Sequence, residues 1–137
     1  MENEGVPFDT EINRDESVCM EKANPIKEKS YLFALHIIAF YKKLIAGKEF
    51  VLSKQLLRSG TSVGASVEEA SQAQSKKDFI AKLSIALKEA HESHYWLRLL
   101  LDSGYATSSE THTLLKEVHE VISLLTAIIK TTKSNLP

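Results

Sequence analysis

The sequence predicts an all-α protein, folded as an antiparallel up-down four-helix bundle that works as an oligomer. Apolar residues recur at helical spacing in four successive stretches, which predicts four amphipathic helices with short links. Only five glycines and three prolines occur among 137 residues, as suits a helical chain. No stretch alternates polar and apolar residues between turn signals, so the sequence offers no strand.

The length predicts one domain with a short N-terminal extension. Residues 1–29 carry a net charge of −4 and no sustained apolar period, which predicts a flexible acidic tail. Residues 30–137 carry a net charge of +3 and hold the predicted bundle. The predicted helices span about 30–46, 51–74, 76–103 and 108–132.

The first two helices differ in the size of their side chains. The first is expected to begin at Ser30 and end before Gly47, and it is apolar on more than one face, which predicts that it is largely buried. The second contains Gly60 and Gly64 in a run of small residues. A helix-interior glycine costs about 1 kcal/mol relative to alanine, so we expect a neighbouring helix to approach closely there.

The last two helices have clear end signals. Ser75 is a suitable N-cap for the third helix, and Asp78 lies where the helix dipole favours negative charge. Gly104 is a suitable residue just past its end. The fourth helix follows Thr107 and carries a strong apolar period.

The third helix carries a basic stripe that includes an aromatic residue. A projection at 100° per residue places these side chains in one sector: Lys77, Lys88, His91, Tyr95 and Arg98. Such a stripe can contact phosphates and stack on a base, which makes it a nucleic-acid-binding surface of RNA or DNA. The alternative is a solvated face with weak ion pairs to acids such as Glu92, and the flanking acids favour it.

A second apolar sector on the third helix predicts a subunit interface. It consists of Ile85, Trp96, Leu99 and Leu100. An isolated four-helix bundle needs no second apolar sector, and tryptophan is enriched at interfaces. The alternative is that Trp96 caps the end of the core.

A polar line on the second helix has no role that the sequence decides. It consists of Arg58, Ser62, Ser66 and Glu69. Its members are placed to pair with the third helix, with a neighbouring subunit or with a ligand.

The sequence favours a protein that is not an enzyme and that holds neither a cofactor nor a metal. Gly60 to Gly64 matches G-x-S-x-G, but a hydrolase needs that motif after a strand, and none is predicted. His91 and His94 are one residue short of the H-E-x-x-H spacing, and no Glu-x-x-His pair exists. Cys19 is the only cysteine, and no apolar run reaches the roughly 20 residues of a membrane span. We therefore expect a cytoplasmic protein.

Four segments together resemble a known family. They are residues 56–65, LLRSGTSVGA; residues 75–79, SKKDF, with residues 85–90, IALKEA; and residues 95–100, YWLRLL. The combination resembles the four-helix-bundle family called 23S rRNA intervening-sequence proteins, over roughly residues 27–130.

That resemblance implies an oligomer without enzymatic activity. The family is typically encoded in insertions within bacterial 23S rRNA genes. It is related to the accessory protein of diversity-generating retroelements, a basic homopentameric ring that binds nucleic acid and associates with a reverse transcriptase. The resemblance implies a ring-shaped homo-oligomer, pentameric like that relative, with RNA, DNA or a protein partner as its target. This chain departs from the relative in its net charge of −1.

Overall fold

The computed structural model describes residues 24–137, and it has four helices and no strand in that range. The helices are α1 (Pro25–Ala46), α2 (Leu52–Ala70), α3 (Lys76–Asp102) and α4 (Ser108–Ser134). The all-α prediction is therefore confirmed. The predictions made for residues 1–23 of the acidic tail lie outside the described residues.

Helix α1 begins five residues earlier than the sequence predicted. Pro25 occupies the first turn, where its missing N–H costs nothing, and Ile26 is buried in the core. Ser30 is not the N-cap; it lies buried inside the helix, and its hydroxyl donates to the Lys27 carbonyl at 3.2 Å. Residues 25–29 therefore belong to the bundle and not to the tail.

Helix α2 is shorter than predicted and ends at Ala70, four residues before Gln74. The residues after Ala70 are small or polar and turn toward Ser75, so they offer little to hold a further turn against the core. Ser75 and Thr107 cap α3 and α4 by accepting from the backbone N–H groups of Asp78 and Glu110, at 3.0 and 3.2 Å.

Each helix contacts two others. In the described residues the backbones of α1 and α3 each lie close to those of α2 and α4, whereas the backbones of the pairs α1–α3 and α2–α4 do not approach one another as closely. The helices therefore lie at the corners of a square around a single core. The largest fully buried side chains at its centre are Phe33, Ile37, Leu56, Leu83, Leu97, Leu100 and Leu125.

The small residues of α2 allow α1 to approach closely, as the sequence predicted. A Cβ atom built on Gly60 would lie 2.9 Å from both Cγ1 and Cγ2 of Ile37. One built on Gly64 would lie 3.3 Å from the Ser30 carbonyl oxygen. At both positions glycine lowers the helix propensity but allows α1 and α2 to approach each other closely.

Helix α1 ends before Gly47, as predicted, but Gly47 is not the residue with a positive φ. The residue in the left-handed region is Lys48, with φ of 70°, one position later. Its N–H donates to the Ile45 carbonyl, and the Glu49 N–H donates to the Leu44 carbonyl, which is the Schellman arrangement. The second residue with positive φ in the described range is Gly104, at 88°, where the sequence placed a C-terminal glycine.

The expectation that α1 is largely buried is wrong. Four of its large apolar side chains are exposed: Tyr31 by 61%, Leu32 and Leu35 by 45% each, and Ile38 by 36%. With α1 at a corner of the square, only its α2- and α4-facing sides are covered. We call these four residues the α1 apolar face.

Candidate nucleic-acid interface and apolar surfaces

The five residues of the predicted basic stripe lie together on α3. All five are exposed, because their sector points away from the sides of α3 that pack on α2 and α4: Lys77, Lys88, His91, Tyr95 and Arg98. We call this set the α3 outward face. It presents three permanent cations, one histidine and one aromatic ring along about 22 residues, or roughly 30 Å, of helix.

The aromatic residue of this face has fixed neighbours. The guanidinium carbon of Arg98 lies 5.8 Å from the centroid of the Tyr95 ring, within cation–π range. The Trp96 ring meets Tyr95 edge-on, with centroids 5.2 Å apart and planes at 65°. The Trp96 indole N–H in turn donates to the Glu92 carboxylate at 2.9 Å. Tyr95 is therefore held in place while 46% of it remains exposed.

The acids of α3 nearest to this face are engaged by α2. Arg58 donates to the Glu89 carboxylate at 3.3 Å and to the Glu92 carboxylate. The hydrogen bond from Trp96 lowers the pKa of Glu92, and Arg58 lowers it further against the opposing effect of burial. The bond to Glu92 likewise raises the pKa of Arg58. These acids therefore pair with α2, and Glu92 also lies near enough to Lys88 of the outward face for the lysine charge to lower its pKa.

Arg58 thus resolves one of the open alternatives, because it pairs with the third helix. The other three members of the polar line differ in their surroundings. The Ser62 hydroxyl donates to the Arg58 carbonyl at 2.6 Å, Ser66 is buried, and Glu69 is exposed. The sequence did not identify the buried hydrogen bond between Ser59 and Ser93, 2.9 Å long, which lies beside the Arg58 network.

The predicted interface on α3 divides into surface and core residues. Ile85 is 46% exposed and is available to a partner. Trp96 and Leu99 are half-buried, and Trp96 packs against the core. Leu100 is fully buried within its own subunit, so its assignment to an interface is wrong. Its position on α3 turns it toward α2 and the core.

The larger apolar surface is the α1 apolar face, which the sequence analysis did not select. The signal was present, because the apolar residues of α1 exceed what one buried face can hold. An open groove of about 460 Å³ adjoins this face and is lined by Lys27, Tyr31, Leu32, Glu68 and Ser71, among others. It lies beside the start of α1 and the end of α2.

Within residues 24–137, no three histidine, cysteine, aspartate or glutamate side chains are placed to hold a metal ion. In the same range, no helix combines the length and the apolar character that crossing a bilayer requires.

Comparison with known proteins identifies the family. The sequence model of the 23S rRNA-intervening sequence protein family matches residues 22–127. The chain is also similar to a protein of unknown function from the S23 ribosomal protein family of Bacteroides thetaiotaomicron, whose crystal structure is known. Sequence identity is 52%, the TM-score is 0.76, and the match covers 77% of this chain and 98% of that one.

No curated protein matches the chain. Neither the family description nor the description of the Bacteroides protein indicates an enzymatic family. The four helices and the four sequence segments agree with the family assignment. The chain belongs to the 23S rRNA-intervening sequence protein family.

Proposed function

We propose that this protein is a non-catalytic, oligomeric helical bundle that binds RNA or DNA through the α3 outward face. The observation that carries the proposal is the gathering of Lys77, Lys88 and Arg98 with Tyr95 on one exposed face. The withdrawal of Glu89 and Glu92 toward Arg58 leaves that face more basic than the net charge of the chain suggests.

The chemistry of binding follows from these residue types. Lysine and arginine side chains displace condensed counterions from phosphates, which supplies affinity without base specificity. A base stacked on a tyrosine contributes about 1–3 kcal/mol, and every base offers a face for it. We therefore expect binding that tolerates different sequences and weakens steeply with salt.

The test measures the fluorescence anisotropy of a labelled 20-nucleotide polyuridine RNA in 50 mM salt at pH 7.5. The double variant Lys77→Glu/Lys88→Glu should bind at least about tenfold more weakly than the unchanged protein, because two phosphate contacts become repulsive. The control Lys42→Glu/Lys54→Glu makes the same charge change on α1 and α2 and should lose much less. Equal losses in the two variants would contradict a role for the α3 outward face.

We further propose that the subunits form a ring-shaped homopentamer in a bacterial cytoplasm. A ring needs two different surfaces on each subunit, because its contacts are head to tail. The α1 apolar face and the exposed side of α3 around Ile85 offer two such surfaces at opposite corners. Light scattering should give the mass of five subunits for the unchanged protein and the mass of one subunit for the Leu35→Glu variant. A monomeric unchanged protein would contradict the ring.

The proposed subunit is an antiparallel up-down bundle. Two close contacts support this order, since Ile37 lies opposite Gly60 whereas the earlier residue Ser30 lies opposite the later residue Gly64. The ion pair between Lys27 and Glu68 continues the same trend at 3.7 Å. The links between successive helices have five residues each, which is short enough to place successive helices antiparallel.

The second candidate function is a protein-interaction scaffold without nucleic-acid contact. The observation that favours it is the α1 apolar face, because exposed apolar patches commonly mark protein-binding sites. The Leu35→Glu variant separates the two functions. The scaffold function is supported if the unchanged protein does not bind RNA and Leu35→Glu keeps the oligomer mass. The α1 apolar face is then free for a different polypeptide.

A further inference from the structure

The three permanent cations of the α3 outward face form no salt bridge with another residue of 24–137. Lys77, Lys88 and Arg98 are exposed and follow one side of the helix over roughly 30 Å. The acids Glu89 and Glu92 of the same helix form their salt bridges with α2. A row of cations of this length attracts an acidic partner, because its summed charge is not neutralised by close neighbours.

An acidic segment of this chain joins the bundle at the end where that row begins. Residues 1–23 hold seven acidic and two basic residues, so their net charge is −5, whereas residues 24–137 carry +4. The segment is followed by Asn24, which lines an apolar groove of about 300 Å³ together with Phe79 and Leu83 of α3. Phe79 lies two residues after Lys77, so the segment meets the bundle beside the first turn of the α3 outward face.

The length of the segment matches the length of the row. Twenty-three residues span at most about 76–83 Å when fully extended, and a flexible chain of that length has a root-mean-square end-to-end distance of about 24–29 Å. The α3 outward face measures roughly 30 Å. Because the segment is tethered beside the face, its local concentration there is on the order of millimolar. Several ion pairs that are weak one by one can then keep the face covered.

Other lysines at this end of the bundle offer the segment less. The ammonium groups of Lys27 and Lys76 already have oxygen partners, at 3.7 and 3.3 Å. Lys130 and Lys133 are exposed near the end of α4, but they lie only three residues apart. The acids of the segment are spread from residue 2 to residue 21. The longer row on α3 therefore complements them better.

We propose that residues 1–23 lie along the α3 outward face of their own subunit and compete with nucleic acid for it. The inference rests on the proposed function and adds the regulation of the same site. The carboxylates of the segment take the places of phosphates, so RNA binds only while the segment is displaced. RNA carries one negative charge per nucleotide, so it replaces the segment where its local concentration is high enough.

Cross-linking measures whether the segment lies on this face, and it needs no RNA. Cys19 is the only cysteine of the chain, so one added cysteine defines the product. Ser84→Cys places a thiol seven residues after Lys77, which is two helical turns along the same sector. A short bis-maleimide added to the full chain should join this thiol to Cys19 within one subunit, giving a product of unchanged mass on a denaturing gel.

The matched control is Ala127→Cys, an exposed position of α4. The Lys76 ammonium donates to the Asn135 carbonyl at 3.3 Å, so the start of α3 lies beside the end of α4. Ala127 and Ser84 each lie eight residues from that contact, at a similar height in the bundle. Ser84→Cys should cross-link at least about threefold faster than Ala127→Cys. Equal rates, or a product that joins two subunits, would overturn the placement.

The anisotropy of the same polyuridine RNA measures the competition. Asp15→Asn/Glu16→Gln removes two charges from the segment and should tighten binding by at least about threefold, because the face is then uncovered for more of the time. The control Glu28→Gln/Glu69→Gln removes two charges from exposed positions of α1 and α2 and should tighten binding less. Equal gains would show long-range repulsion alone and would overturn the competition.

The failure of the inference can be told apart from the failure of the proposed function. RNA binding together with equal cross-linking of the two cysteine variants would overturn the inference and leave the α3 outward face as the RNA site. Fast cross-linking of Ser84→Cys without RNA binding would overturn the proposed function and leave the segment on the face. Excess RNA that slows cross-linking of Ser84→Cys, and leaves that of Ala127→Cys unchanged, supports both.

Discussion

Replacement of Gly60 by alanine tests whether the close packing of α1 on α2 requires a glycine in the middle of α2. The added Cβ would lie 2.9 Å from two Ile37 atoms and 3.3 Å from a third, whereas carbon atoms pack best at about 3.5–4.0 Å. Overpacking of this kind costs about 1–3 kcal/mol. Alanine returns about 1 kcal/mol of helix propensity. The expected net loss is about 1 kcal/mol in the free energy of unfolding.

A double-mutant cycle isolates the contact. Ile37→Ala removes both close Cγ atoms and costs about 2–5 kcal/mol by itself, but the methyl group of Gly60→Ala should then fit and couple favourably by about 1 kcal/mol. Ile37→Val keeps both Cγ atoms and should give no such relief. Urea unfolding followed by circular dichroism measures all the variants.

The exposed helix position Ala65 supplies the reference for propensity alone. Ala65→Gly should lower the free energy of unfolding by about 1 kcal/mol through helix propensity. Gly60→Ala would raise it by the same amount if the added methyl group met no clash. The reasoning would be refuted if Gly60→Ala stabilised the protein by that full amount. Additive losses in Gly60→Ala/Ile37→Ala would refute it equally.

Three further changes test single features by urea unfolding. Lys48→Gly should stabilise by about 0.5–1 kcal/mol, because Lys48 occupies the left-handed region; a loss would contradict this. Glu49→Gln should cost about 0.5–2 kcal/mol at pH 7 because three N–H groups at the start of α2 donate to this carboxylate. Burial raises the pKa of Glu49, but those donors outweigh it, so the benefit exists above the ordinary glutamate pKa and disappears as pH falls through the lowered value; equal acid sensitivity in the variant would argue against it. Leu100→Ala should cost about 2–5 kcal/mol while Ile85→Ala costs far less, and similar losses would return Leu100 to the surface.

Much of the fold could be predicted because its signals are local. The apolar period fixes four helices, and the caps at Ser75 and Thr107 need only residues three positions away. The role of Gly60 was also predictable, because a costly residue in a helix implies a compensating contact. The α3 outward face followed from helical geometry alone, since a sector of polar residues must avoid the core.

The remaining features depend on which surfaces meet. Helix α1 is apolar on two sides, and periodicity alone does not say which side the other helices cover, so the α1 apolar face was expected to be buried. Leu100 was assigned to an interface for the same reason.

The salt dependence of RNA affinity tests most directly whether the α3 outward face holds nucleic acid. Three to four phosphate contacts to a single strand predict a slope of log affinity against log salt of about −2 to −3. Removal of two contacts by Lys77→Gln/Lys88→Gln should make that slope shallower by about 1.4. An affinity that does not change with salt, or a slope that is the same in this variant and the unchanged protein, would contradict the proposed interface.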